Sequence, residues 1–211
     1  MDYLICAVIG YLLGSIPTGY LILKREKGID ITQTGSHNVG ALNALEVSNS
    51  KTIGFLVLII DALKGLLSVY FSLLFFPYNF AMPAIALIFA VFSHCFNPWI
   101  GFKGGRGLAT AAGGTILIFP VLPVYWIIIW VILYVLKKNV LFSNISAIII
   151  TFITILLSEE LDYRYSFPHS NSVSIILFFA SVLLMMIFIK HIEPLNEIIQ
   201  NYKSNRRENA K

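Results

Sequence analysis

The stretch Leu108-Ala109-Thr110-Ala111-Ala112-Gly113-Gly114-Thr115-Ile116-Leu117-Ile118-Phe119, followed by Pro120-Val121-Leu122-Pro123, decides how the whole chain is threaded. It carries no charge, yet its run of about a dozen residues falls short of the ~20 that a helix needs to cross roughly 30 Å of hydrocarbon. Read as a span in its own right, it is a partial or tilted helix that turns at the two prolines into another apolar run. Merged with that run, it gives one crossing fewer. Composition sets the surroundings: 57% of the 211 residues are hydrophobic and 12% are charged, and mean hydropathy is +0.80. A soluble domain carries about twice that charged fraction.

Outward from this stretch, apolar runs predict spans at Tyr3 to Leu23, Ile53 to Phe76, Phe80 to Trp99, Leu108 to Phe119, Val121 to Leu136, Val140 to Leu157 and Val173 to Ile189. The expectation is an all-α polytopic membrane protein of about seven transmembrane helices, some short or partial. Charge placement tests the number, because Lys and Arg collect in short cytoplasmic loops. With seven spans and the N-terminus outside, Lys24, Arg25, Lys27, Lys51, Lys103, Arg106, Lys137, Lys138, Lys190, Lys203, Arg206, Arg207 and Lys211 share one side, against Arg164 alone on the other. Merging the fourth and fifth spans scatters them. The reading is therefore N-terminus outside and C-terminus cytoplasmic, with the polar chemistry on the cytoplasmic side.

The net charge of +4 is the excess expected against anionic lipid and needs no nucleic-acid partner. Asp2, and positive charge that follows the first apolar run instead of preceding it, predict that this run is retained as an anchor. Cys6 and Cys95 fall within predicted spans and read as small buried apolar residues. With no repeat or long linker, residues 1–195 are expected to form one integral membrane domain, and residues 196–211 a short basic cytoplasmic tail. No cofactor or metal is expected, since no His or carboxylate cluster has ligand spacing. A dimer is left open.

Three polar segments exceed what connecting loops need. Phe102-Lys103-Gly104-Gly105-Arg106-Gly107 places two cations among three residues without side chains, which suits a phosphate cradle and equally a basic turn against lipid headgroups. It is preceded by Ser93-His94, whose histidine also reads as a hydrogen-bonded structural residue. Gly35-Ser36-His37-Asn38-Val39-Gly40-Ala41-Leu42-Asn43 offers hydroxyl, amide and N–H donors ahead of a helical Ala-Leu-Asn-Ala-Leu, so Ser36 and Asn38 could greet an anion at a helix N-terminus or serve as ordinary caps. Ser143 and Ser146 lie a turn apart on the sixth span, and Lys190-His191 follows the seventh. Asp61 and Lys64, three apart in the second span, share a helix face and read as a structural ion pair.

In this order the motifs resemble the bacterial acyl-phosphate:glycerol-3-phosphate acyltransferases, the PlsY family. The resemblance also rests on Tyr11-Leu12-Leu13-Gly14-Ser15-Ile16-Pro17-Thr18-Gly19-Tyr20, Gly28-Ile29-Asp30-Ile31, Asp61-Ala62-Leu63-Lys64-Gly65 and the continuation Leu108-Ala109-Thr110. It implies a seven-helix membrane enzyme that moves a fatty acyl group from acyl phosphate to glycerol 3-phosphate, giving lysophosphatidic acid for phospholipid synthesis. By that resemblance Ser36 and His191 are the catalytic candidates. Asn38, Asn43, Lys103, Gly104, Gly105, Arg106, Gly107, Ser143 and Ser146 are the substrate-binding ones. The chain departs from the family pattern at Thr32 and Glu46, where arginine is usual, and at His37, Leu42 and Pro194. A carboxylate at position 46 would oppose phosphate binding if it faced the site. These departures keep two alternatives in view, a different acceptor and a non-catalytic relative.

Overall fold

This computed structural model describes the backbone of residues 1–208 and the side chains of residues 1–192, 194 and 195. The tail expected over residues 196–211 thus lies outside the described side chains. Helix accounts for 78% of the structure, with no strand among the described residues. The helices are α1 (Asp2–Gly14), α2 (Thr18–Lys27), α3 (Ala41–Ser48), α4 (Lys51–Phe75), α5 (Ala81–Cys95), α6 (Leu108–Ile118), α7 (Val121–Lys137), α8 (Val140–Leu157), α9 (Glu159–Arg164) and α10 (Val173–Glu208). Among the described residues, five segments are long and apolar enough to cross a membrane: Asp2–Lys27, Lys51–Phe75, Ala81–Ile100, Val140–Leu157 and Val173–Ile192. The shorter apolar helices Leu108–Ile118 and Val121–Lys137 form the pair that the opening stretch anticipates. Pro120 and the Phe119 N–H, which donates to the Thr115 carbonyl at 2.7 Å, end one helix where the next begins.

The first span is not continuous. Its expected run from Tyr3 to Leu23 breaks at Ser15-Ile16-Pro17, because Pro17 has no N–H to continue the ladder. Backbone carbonyls released at such a break need partners within a membrane, and neighbouring helices supply them. The Asn97 Nδ2 donates to the Ser15 carbonyl at 2.6 Å, and the Lys64 Nζ donates to the Ile16 carbonyl at 2.7 Å. Lys64 also meets Asp61 Oδ1 at 2.6 Å, with both side chains buried. The pair therefore ties α4 to the broken first span.

Close helix approach comes from residues without bulk. At Gly65 an added Cβ would strike the Thr110 carbonyl, and at Gly113 the Ala62 carbonyl, so α4 and α6 are in backbone contact. Gly10 and Gly14 bring α1 against Ala86 and Ala90 of α5 in the same way. Ile176, Phe179, Leu183 and Ile187 of α10 are buried against α5 and α8 side chains in the main core. The short α6 is held from three sides, which fixes the loop that enters it.

Candidate active site

The loop from Gly101 to Gly107 is bent by positive φ at Gly101, Phe102 and Gly107 and delivers the chain directly into α6. It folds back on α5. The Phe102 N–H donates to the Asn97 carbonyl at 2.8 Å, and the Gly105 N–H donates to the His94 carbonyl at 3.1 Å. A Cβ at Gly105 would collide with His94 Nε2, and one at Gly104 with the His94 and Cys95 carbonyls, so these two positions need glycine for room. The N–H groups of Lys103 and Gly105 are both turned into the protein. An anion here is thus met mainly by the Lys103 and Arg106 side chains and the start of α6.

The loop before α3 forms the facing wall. Asn43 organises it from a buried position: its Nδ2 donates to the Thr34 and Asn38 carbonyls at 3.0 and 2.8 Å, and its Oδ1 accepts from the Ser36 N–H at 3.0 Å. The Val39 N–H joins this wall to the glycine loop, donating to the Gly104 carbonyl at 3.4 Å. Between them lies a cavity of about 290 Å³ lined by Ser36, His37, Asn38, Phe102, Lys103, Gly104, Arg106, Lys190 and Pro194. The lining holds three full cations and, among the described residues, no carboxylate. Close behind, the hydroxyl and N–H of Thr32 bond the Asp30 carboxylate at 2.7 and 3.0 Å. The hydroxyl bond, the N–H and the charges of Lys24 and Lys103 hold the Asp30 carboxyl below its usual range.

A second cavity of about 390 Å³ opens on the other side of Asn38 and Arg106. Its polar end is Asp61 and His94, whose Nδ1 lies 3.8 Å from Asp61 Oδ1. From there it runs between helices past Leu58, Ala112 and Asn144 to Trp126 and Trp130, which stack with ring centroids 6.0 Å apart. It is an apolar groove beside the cationic cavity, with Asn38 and Arg106 lining both.

Of the residues singled out from sequence, Ser36, Asn38, Lys103, Gly104 and Arg106 come together in the cationic cavity, and Gly107 borders the groove. Asn43 and Gly105 shape the walls from behind. Neither Ser36 nor Asn38 caps α3, whose N-cap is Gly40. Ser143 and Ser146 lie on neither wall; Ser143 is buried with its hydroxyl donating to the Asn139 carbonyl at 2.8 Å, and the next residue, Asn144, faces the groove instead. His191 is fully buried, its Nδ1 donating to the Ile187 carbonyl at 2.8 Å, and is likewise on neither wall. Glu46 is exposed and off both walls, and Thr32 is occupied by Asp30, whereas His37 and Pro194 do line the cavity. Phe102, Lys190 and the Trp126–Trp130 pair join the walls without having been assigned to them from sequence. Only Lys190, as a cation beside His191, offered a signal.

A multi-pass helical bundle with a cationic cavity beside an apolar groove defines a membrane protein built to handle an anionic, lipid-like molecule. The chain belongs to the glycerol-3-phosphate acyltransferase family, whose description matches residues 4–201, and it is an acyltransferase. It is 34% identical over 199 residues to a glycerol-3-phosphate acyltransferase of Pelagibacter ubique, covering 94% of each chain. A Rhizobium etli relative of the same name is 40% identical over 147 residues, 69% of this chain and 68% of the relative. Two crystal structures of PlsY, an integral membrane glycerol 3-phosphate acyltransferase, are similar in fold. The glycerol 3-phosphate form has a TM-score of 0.78 and covers 95% of this chain and 94% of its own, at 28% identity. The lysophosphatidic acid form has a TM-score of 0.77.

Proposed function

We propose that the protein transfers a fatty acyl group from acyl phosphate to glycerol 3-phosphate, releasing inorganic phosphate and lysophosphatidic acid. The observation that carries this reading is the shared wall: Asn38 and Arg106 border both the cationic cavity and the apolar groove. An acyl chain in the groove places its carbonyl at that junction, with the donor phosphate against Arg106, Gly107 and the start of α6. The acceptor hydroxyl attacks the carbonyl carbon, the new ester C–O bond forms, and the bond to phosphate breaks. The hydroxyl proton leaves with the phosphate.

Phosphate is a good leaving group, so the work of the site is to hold two anions together and to orient the hydroxyl. Ser36 and Asn38 supply polar contacts at the junction, and Lys103 and Arg106 offset the repulsion between the phosphates. His191, buried with its Nδ1 bonded to the Ile187 carbonyl, supports α10 next to Lys190 and touches neither substrate. We place this site on the cytoplasmic face of a bacterial inner membrane, consistent with the basic residues around it.

The test is lysophosphatidic acid formation by the purified protein in lipid vesicles supplied with acyl phosphate and glycerol 3-phosphate. Lys103→Ala is expected to lower kcat/KM by about 10²-fold, as for removal of a single stabilising charge. Glu46→Arg, at an exposed position off the walls, is expected to change it by less than about threefold. No product from the parent protein would sink the reading.

A further inference from the structure

We propose that Lys190 binds the phosphate of the acceptor, gripping glycerol 3-phosphate from the α10 side of the cationic cavity. The assignment rests on the acyl-transfer reading above and supplies the cation that the chain lacks at positions 32 and 46.

Charge balance calls for it. A phosphate monoester carries about −1.5 to −2 at neutral pH, so two phosphates at one site bring roughly −3 to −4. Lys103 and Arg106 offset only two of these. Thr32 is buried against Asp30, and Glu46 is exposed and off the walls, so neither the expected arginines nor the Glu46 carboxylate enters the balance. Lys190 is the third cation on the cavity wall.

Position separates its partner from that of Arg106. Arg106 borders both spaces and so faces the donor, whose chain lies in the groove. Lys190 borders the cationic cavity and not the groove, which is where a substrate without an acyl chain belongs. Its placement is constrained on two sides. The Nζ lies 5.2 Å from the centroid of the Phe96 ring, a cation–π contact that holds the ammonium at the end of α5. Four residues on, Pro194 lines the same cavity and has no N–H to give the carbonyl of Lys190. The helix therefore meets the cavity with its regular ladder interrupted at this residue.

The experiment compares the parent protein in lipid nanodiscs with Lys190→Ala and Lys190→Arg. It measures the KM for each substrate, the melting temperature, and the calorimetric Kd for glycerol 3-phosphate alone. Lys190→Ala is expected to raise the glycerol 3-phosphate KM and Kd by about 10- to 100-fold, the size of one lost charge-assisted contact. The acyl phosphate KM and the melting temperature should stay unchanged, and Lys190→Arg should restore binding to within about threefold of the parent. An unchanged Kd, equal losses for both substrates, a lowered melting temperature with both, or no binding by the parent overturns the assignment. If the parent binds glycerol 3-phosphate, binding weakens in Lys190→Ala, and yet no lysophosphatidic acid forms, Lys190 stands as the anion-binding residue and the acyl-transfer reading fails.

Discussion

Gly105 shows how a single missing side chain can shape a binding loop. Its Cα face rests on the imidazole of His94, while its N–H donates to the carbonyl of the same residue at 3.1 Å. Gly101, in the same loop, has nothing within 4 Å of where a Cβ would stand and is special only for its φ of +67°. The two glycines therefore have different reasons to be glycine, one spatial and one conformational. Gly105→Ala must push the loop off α5 or displace His94, a cost of about 1–3 kcal/mol by the scale of overpacked sites. Gly101→Ala meets only the strain of a left-handed residue, about 1–2 kcal/mol and away from the cavity wall. Steady-state kinetics should show Gly105→Ala losing at least about five times more activity than Gly101→Ala, because its displacement acts on the wall of the cavity itself. Equal losses would mean that the imidazole does not confine the loop. The charges of Lys103 and Arg106 and the glycines between them were legible in the sequence because they sit within one hexapeptide. Lys190 was not assigned because its place on the wall depends on α10 reaching a loop far away in the chain, which no local pattern records.

At the scale of single helices, hydropathy gave the lengths and missed the facing. It marked α8 as a span, but successive residues on a helix point about 100° apart. The serines at 143 and 146 therefore turn away from the groove while Asn144 enters it. The break between α1 and α2 was likewise hidden, since Ser15 and Ile16 are apolar enough to continue a span and only Pro17 signals otherwise. Helix α9 carries a further consequence of burial. Asp162 is fully buried there; its Oδ1 accepts from the Ser158 hydroxyl at 3.1 Å, and its Oδ2 has no hydrogen-bond partner among the described residues. Burial pushes its carboxyl up to about 6, with the Ser158 bond opposing that rise and Glu159 adding to it. An unfolded aspartate titrates near ~3.9, so the folded protein binds this proton more readily. The associated stability is complete below that ordinary value and is lost as pH rises through about 6. Thermal unfolding in detergent should therefore show Asp162→Asn raising the melting temperature at pH 7.5 and flattening its change between pH 5 and 7.5. A variant that keeps the parent's pH dependence would assign that dependence to other groups.

For the molecule as a whole, the short helix pair sets both the thread and the depth of the site. Helix α6 has 11 residues, which at 1.5 Å per residue span about 16 Å, roughly half the hydrocarbon thickness. If the Pro120 turn approaches one face of the membrane, Leu108 stands well below the opposite surface, and the glycine loop descends with it. In the proposed reaction, that geometry lets the phosphates meet the acyl groove without the acyl chain leaving the bilayer. It also requires α6 and α7 to make two crossings, so that Lys51 and Lys138 share a face and Arg164 lies on the other. If the pair made a single crossing, Lys51 and Lys138 would lie on opposite faces. The native cysteines, Cys6 and Cys95, are both fully buried and give little background to a bulky thiol reagent. Single cysteines at positions 51, 138 and 164 can therefore be probed with a membrane-impermeant maleimide in sealed vesicles of known orientation. Labelling of 51 and 138 is expected from the cytoplasmic face alone, and labelling of 164 from the other. If 138 instead reacts from the face opposite 51, and 164 from the same face as 51, the α6–α7 pair crosses once and the two-crossing thread fails.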